Sequence, residues 1–241
     1  MKTILLTGVS SGLGAEIAER LLSEGYALIG LSRSQSDTVK ALQSQFPDTF
    51  HFHSLDLSLG ADELLPKLKS IIPLDQPLHA FINNAGTAYD DLITNAQSAP
   101  LENQFRVNVH NPILICREVI RNFIAHQTPG RILHITSITA HQGFTGLSMY
   151  GASKGAIESF SKGLAREWGK KGITSNCIAP GFMDTPMTDT LNAQTKEKIH
   201  RQSALKRPVS TSAVTSTIQH LLTDATKDIT GETIRIDCGR S

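Results

Sequence analysis

The sequence predicts an α/β fold: a doubly wound parallel sheet in three layers, with helices on both faces. Three observations carry this. Short apolar runs alternate with amphipathic stretches almost from end to end, the pattern of parallel strands joined by crossover helices. Several runs, such as Ala27-Leu-Ile-Gly-Leu31, lack polar alternation, as strands buried on both faces do. A turn containing Gly8, Gly12 and Gly14 joins the first apolar run to the first amphipathic stretch.

Taken in order, Thr3–Leu6 is a strand cut off by Gly8, and Leu13–Glu24 is the helix that leaves the glycine turn. Gly25 marks the turn into the second strand, Ala27–Leu31. Helix Thr38–Gln45, strand Phe50–Ser54 and helix Ala61–Ile71 continue the alternation. Strand Ala80–Ile82 runs into Asn83-Asn-Ala-Gly86, a composition that also suits a plain turn. A long helix is expected over Glu102–Ala125, then strand Ile132–Ile135, helix Tyr150–Gly169 and strand Thr174–Ile178. Residues 182–208, polar and Thr-rich, read as a substrate loop carrying a short helix. Helix Thr211–Thr223 and strand Thr233–Ile236 close the chain. Right-handed crossovers put the helices on both sides of the sheet.

At 241 residues the chain is expected to form one domain, 1–241. Charge is nearly balanced, 23 Lys and Arg against 22 Asp and Glu, with no basic cluster of the kind that grips nucleic acid. No run reaches the ~20 apolar residues of a membrane span, and no cleavable signal opens the chain. A cytoplasmic location is therefore expected. Cys116, Cys177 and Cys238 lack metal-type spacing and read as reduced packing residues, and no metal site is expected.

The glycine turn has a chemical reading. In Gly8-Val-Ser10-Ser11-Gly12-Leu13-Gly14, Gly8 permits a tight turn, Gly12 lets the backbone approach a pyrophosphate, and Gly14 lets the helix lie close to the strand. The helix N-terminus then offers unpaired N–H groups and partial positive charge to phosphates, with Ser10 and Ser11 as further donors. Glycines also mark ordinary strand-to-helix turns, so the second strand matters. An acid near its end would hold the ribose of NAD(H), but here Ser32-Arg33-Ser34 has no carboxylate before Asp37. Arg33 can pair with a 2′-phosphate, which favours NADP(H) and leaves NAD(H) possible. The alternative for Arg33 is a solvated loop residue.

Tyr150 and Lys154 stand at i and i+4, one turn apart on one helical face, and Ser137 lies upstream in His-Ile-Thr-Ser. A phenol titrates near pH ~10, so an adjacent ammonium is the expected means of lowering it. A phenol, an ammonium and a hydroxyl within reach of one oxygen can move a proton while a hydride moves elsewhere. Taken alone, such a pair also decorates solvated helix faces. Among the histidines, His134 reads as a satisfied core imidazole inside a strand, and His51, His53, His79 and His110 form no triad or metal spacing. His141 follows the Ser137 segment and is the one histidine kept as a candidate for the substrate cleft, the alternative being a structural role.

Over nearly its whole length the chain resembles the short-chain dehydrogenase/reductase family. The marks are Thr7-Gly8-x-x-x-Gly12-x-Gly14, Asp56-Leu57, Asn83-Asn84-Ala85-Gly86, Asn108 in Arg106-Val-Asn-Val, Ser137, Tyr150-x-x-x-Lys154, and Pro180-Gly181-x-x-x-Thr185. Within that family it is most similar to 3-oxoacyl-acyl-carrier-protein reductases and free-standing ketoreductases. The resemblance implies a Rossmann-type seven-stranded sheet, a nicotinamide cofactor, and a homotetramer or homodimer built on the two long helices and the C-terminal strand. It implies Ser137, Tyr150, Lys154 and Asn108 as catalytic residues, with the Asn108 carbonyl kinking a long helix. It also implies that Asp56 and Leu57 meet the adenine, Asn84, Ala85 and Gly86 line the ribose and pyrophosphate, and Pro180, Gly181, Met183 and Thr185 flank the nicotinamide. Lys154 is implied to grip the nicotinamide ribose as well.

The reaction implied is NADPH-dependent reduction of a β-ketoacyl thioester on an acyl carrier protein, in fatty-acid or polyketide-type assembly. The alternatives are a carrier-independent dehydrogenase of alcohols, sugars or steroids, and a non-catalytic cofactor-binding regulator. Lys171 matches one carrier-contacting basic residue of the relatives, whereas Thr128 replaces the second, with Arg117, Arg121 and His126 nearby. Ser11 stands where those reductases often carry arginine, and the C-terminus, Asp237-Cys-Gly-Arg-Ser241, ends early and polar.

Overall fold

A computed structural model describes residues 1–188 and 192–240. Among these, seven parallel strands form one sheet in the order β3-β2-β1-β4-β5-β6-β7. The strands are β1 (Thr3–Thr7), β2 (Ala27–Ser32), β3 (Phe50–Ser54), β4 (Leu78–Asn83), β5 (Gly130–Ile135), β6 (Ile173–Pro180) and β7 (Thr233–Ile236). All seven expected strands are present: β3 and β7 keep the expected bounds and the other five are one to three residues longer.

Two apolar layers hold helices against the sheet. On one face α1 (Gly12–Ser23), α2 (Asp37–Gln45) and α8 (Thr211–Leu221) cover Ile4, Leu6, Leu28, Leu133 and Ile135 through Ile17, Leu21, Val39, Leu42, Val214 and Ile218. On the other, α3 (Ala61–Ile71), α5 (Asn111–Ala125) and α6 (Ser148–Trp168) cover Leu5, Ile29, Leu31, Phe81 and Ile132 through Leu64, Leu68, Ile115, Val119 and Leu164. Neighbours in a strand thus enter opposite layers, as the period of two requires. Both environments are dry, which is why these runs show no polar alternation.

The expected single helix over Glu102–Ala125 is not one regular helix. It is α4 (Ser98–Phe105), a five-residue π-helical turn at Arg106–His110, and then α5. The wide turn centres on Asn108, which is buried, in keeping with the kink the resemblance implies there. Its Oδ1 accepts from Thr87 N–H at 2.9 Å, while its Nδ2 donates to Thr87 carbonyl at 2.8 Å and to Ser153 Oγ at 3.0 Å. Residues 182–208 contain a 3-10 turn at Pro186–Thr188 and α7 (Ala193–Arg201). Residues 189–191 of that expected loop, and Ser241 of the C-terminal segment, lie outside the described residues.

β1 is flanked by β2 on one side and β4 on the other, so the chain leaves β1 toward one edge of the sheet and later returns toward the other. Loops beyond the strand ends diverge there and leave a crevice, the place where open α/β sheets take ligands. Asn84 spans it, donating through Nδ2 to the carbonyls of Thr7 at 3.0 Å and Gly8 at 3.3 Å.

Candidate active site

A cleft of about 590 Å³ opens at this crevice, within the size range of small-molecule sites. Its walls come from β1-α1 (Gly8, Ser10 to Gly14), β2 (Ser32, Arg33), the loops after β3 and β4 (Asp56, Leu57, Asn84 to Gly86), β5-α6 (Ser137, Tyr150, Lys154) and the loop after β6 (Pro180, Gly181, Met183, Thr185). All the residues expected to bind cofactor line this one cleft. Asn108 does not line it and lies behind it, bonded to Thr87 and Ser153.

The glycine turn fits a phosphate group on geometric grounds. A Cβ on Gly14 would lie 1.9 Å from the Gly8 carbonyl oxygen, so only glycine lets α1 start this close to β1. Gly12 has φ +54°, and a Cβ there would enter the cleft opposite Thr185 at 3.7 Å and Pro186 at 3.4 Å, narrowing the space a phosphate needs. The turn is held from below by Thr7, whose Oγ1 accepts from the N–H groups of Asn84 at 3.1 Å and Ala85 at 3.0 Å. Ser10 N–H donates to Ser32 Oγ at 3.2 Å, tying the turn to the end of β2. Arg33 is exposed at the rim. Asp56 receives Ser58 N–H at 2.8 Å, which fixes its carboxylate at the cleft wall.

At the other end, α6 presents Tyr150 and Lys154 one turn apart, with the Lys154 Nζ 5.6 Å from the phenol ring centre. Nζ donates to the Ile135 carbonyl at 3.0 Å, at the last residue of β5. Burial pulls Lys154 down to about 8. It pushes the Tyr150 phenol above its usual range, and the Asp90 carboxylate adds to the rise. This departs from the expectation that Lys154 lowers the phenol: in this cleft desolvation outweighs the neighbouring ammonium, so Tyr150 holds its proton at neutral pH. Ser137 precedes a 3-10 turn, and its Oγ accepts from Thr139 N–H at 3.2 Å.

Behind these residues runs a hydrogen-bond chain from Thr87 through Asn108 to Ser153 Oγ, which donates to the Tyr150 carbonyl at 2.7 Å. The start of α6 is thereby locked to the loop after β4. Glu158, two turns after Tyr150 and buried, accepts from Thr136 Oγ1 at 2.8 Å and meets His141 Nε2 at 3.1 Å. His141 therefore braces the Ser137 segment against α6 and is not among the cleft walls, so its candidacy for the cleft is not met. His134 is a core residue as expected, edge-on to Phe81 and Phe160, with Nδ1 3.2 Å from Asn83 Nδ2 and its pKa lowered by burial to about 3. Its Nε2 is buried without a partner among the described residues, so the imidazole is only half satisfied.

Four wall residues were not anticipated from the sequence, Asp90, Phe144, Leu147 and Arg240, while Phe182 and Ile199 belong to the expected substrate loop 182–208. Phe144 and Leu147, apolar residues in the glycine-containing connection after β5, carried the one readable signal. Arg117 and Arg121 both pair with Glu118, at 2.8 and 2.9 Å, so much of the positive charge on α5 is compensated. Among the described residues no helix is long and apolar enough to cross a membrane.

Residues 2–196 match the short chain dehydrogenase family. The chain is 33% identical over 238 residues to 3-oxoacyl-acyl-carrier-protein reductase FabG of Buchnera aphidicola subsp. Schizaphis graminum, spanning 99% of this chain and 96% of that protein. It is 31% identical over 235 residues to nodulation protein G of Rhizobium meliloti, spanning 98% of this chain and 95% of that one. A solved structure described as ElxO with NADP bound superposes with a TM-score of 0.90 at 25% identity, over 99% of this chain and 98% of that chain. A match that runs from β1 into α7, on a seven-stranded parallel sheet with its cleft at the same switch of strand order, makes this chain a member of the short-chain dehydrogenase/reductase family of oxidoreductases.

Proposed function

We propose that the protein reduces a β-ketoacyl thioester to the β-hydroxyacyl form with NADPH, the acyl group being carried on an acyl carrier protein. One observation carries the reading: Ser137, Tyr150 and Lys154 share a single cleft with the glycine turn and Arg33. The Gly8–Gly14 turn with Ser10 and Ser11 would hold the pyrophosphate, Arg33 and Ser32 the 2′-phosphate, and Asp56 and Leu57 the adenine. Asn84 to Gly86 and Lys154 would hold the riboses, and Pro180, Gly181, Met183 and Thr185 the carboxamide end. The cofactor, when bound, supplies the hydride that reduces the carbonyl carbon.

Everything else is done by the chain. Ser137 and Tyr150 donate hydrogen bonds to the carbonyl oxygen, preplaced for the charge that develops there. Tyr150 then gives its proton to the developing alkoxide as general acid. The Lys154 ammonium stabilises the phenolate left behind until solvent returns a proton. Asn108 and Ser153 keep Tyr150 at its post through the backbone.

The similarity to the 3-oxoacyl-acyl-carrier-protein reductase FabG supports a ketoacyl substrate, and the NADP of ElxO supports the phosphorylated cofactor. A carrier-independent ketoreductase is the second reading. It is favoured by Thr128 at the second carrier-contacting position and by the pairing of Arg117 and Arg121 with Glu118. NADPH oxidation with acetoacetyl-carrier protein against a panel of free ketones separates the two. Preference for the carrier-bound substrate is expected, and activity confined to free ketones would overturn the first reading.

A further inference from the structure

The cleft carries a cation that the chemistry above does not use. Arg240 lines it together with Phe144, Leu147, Phe182 and Ile199, an otherwise apolar group of walls. Its guanidinium lies 4.6 Å from the Phe144 ring centre, and its Nη2 donates to Gln202 Oε1. Its backbone carbonyl accepts from Gln142 Nε2 at 2.8 Å, so the C-terminal segment is fastened to the connection after β5 independently of the side chain.

Among the described residues the guanidinium meets Gln202 and Phe144 and pairs with no carboxylate, and burial pulls its pKa down. Asp90, the acid acting on Tyr150, is itself shifted by burial alone, so it is not coupled to Arg240. A guanidinium partly withdrawn from water beside apolar walls gains from a counter-ion. Stacking on Phe144 holds the guanidinium plane, and a guanidinium offers five N–H donors in a fork that matches carboxylate and phosphate oxygens.

We infer that Arg240 is a specificity-determining residue that grips an oxyanion, carboxylate or phosphate, carried by the substrate away from its reacting carbonyl. This rests on the cleft being the ketone-reducing site described above. Two substrate classes supply the anion: a thioester whose phosphopantetheine arm bears a phosphate, and a free oxo acid bearing a carboxylate.

Two matched pairs test this in the wild-type protein, Arg240→Gln and Arg240→Lys: acetoacetyl-4′-phosphopantetheine against acetoacetyl-pantetheine, and levulinate against methyl levulinate. In Arg240→Gln the ratio of kcat/KM for the anionic to the neutral member should fall about tenfold or more in at least one pair, carried by KM, with Arg240→Lys recovering part of it. A fall in the first pair assigns the phosphate, and a fall in the second assigns the carboxylate. If both ratios stay at the wild-type value, Arg240 is only a strut to Gln202 and the inference is overturned.

Calorimetric titration with 4′-phosphopantetheine and with levulinate provides a readout free of turnover. Affinity for at least one should drop about tenfold in Arg240→Gln; equal affinity in both proteins refutes the inference. Should neither thioester be reduced while anion binding still depends on Arg240, the ketoacyl reading fails and this one stands.

Discussion

Tyr150 and Lys154 are one helical turn apart, yet burial acts on them in opposite senses, raising the phenol and lowering the ammonium, so each is pushed toward its neutral form. For Tyr150 this keeps the transferable proton in place. Tyr150→Phe removes it while leaving the ring, and turnover should drop by at least ~10²-fold while NADPH affinity measured by fluorescence titration changes little. Turnover near the wild-type rate would mean that another group supplies the proton. For Lys154 the shift has a stability consequence with a definite sign. Its folded value, about 8, lies below the unfolded ~10.4, so between these the unfolded chain binds more protons and stability rises with pH. The penalty is fully present below about pH 8 and is relieved above it. In cofactor-free protein, the unfolding free energy of wild type relative to Lys154→Met should climb by up to about 1.4 kcal/mol per pH unit above that point. Urea denaturation at pH 7, 8 and 9 measures it, and a flat difference would show that the ammonium is not desolvated as described.

The elements were legible in the sequence to unequal degrees, for physical reasons. Strands such as Ala27–Ser32 declare themselves because a run buried on both faces tolerates little but apolar side chains. The break within Glu102–Ala125 does not, because Val107, Asn108, Val109 and His110 are only mildly unfavourable in a helix, and the kink at Asn108 is implied by the family resemblance alone. The π-helical turn coincides with long-range bonds: Asn108 reaches Thr87 and Ser153, 21 and 45 residues away in sequence. The same applies to His141, whose partner Glu158 sits on another element. Asn108→Ala removes both of its bonds to Thr87 and the one to Ser153, leaving the Thr87 N–H without its acceptor. It should cost about 1–3 kcal/mol in unfolding free energy. It should also lower kcat more than it raises KM, since Ser153 loses the neighbour that helps hold it under the Tyr150 carbonyl. Equal stability by denaturant titration would show that the turn is held by packing alone.

On the scale of the whole molecule, the cleft was legible only in part. In its cofactor half the glycine turn can be read from the order of residues alone, whereas Asn84–Gly86 and Pro180–Gly181, also at strand ends, are assigned only through the resemblance to the family. Its other half is assembled from residues as far apart as Asp90 and Arg240, brought together by the sheet order, and no local pattern encodes that meeting. The same layout makes cofactor binding a property of the whole fold. The proposed ligand would contact loops after β1, β2, β3, β4, β5 and β6, which cannot all come together in an unfolded chain. At a hundred times its Kd, NADPH should therefore stabilise the protein by about 2.7 kcal/mol, and for a chain of this size raise Tm by roughly 5–10 °C. Arg33, exposed at the end of β2 with no acid before Asp37, is where the two cofactors should part. Arg33→Ala removes a charge-assisted contact worth about 1.5–3 kcal/mol, so at the same NADPH concentration the Tm shift should shrink by half or more, while the shift with NADH falls by less. Differential scanning fluorimetry on both proteins with both cofactors decides it. A wild-type shift that is larger with NADH, or an NADPH shift indifferent to Arg33, would reverse the cofactor assignment.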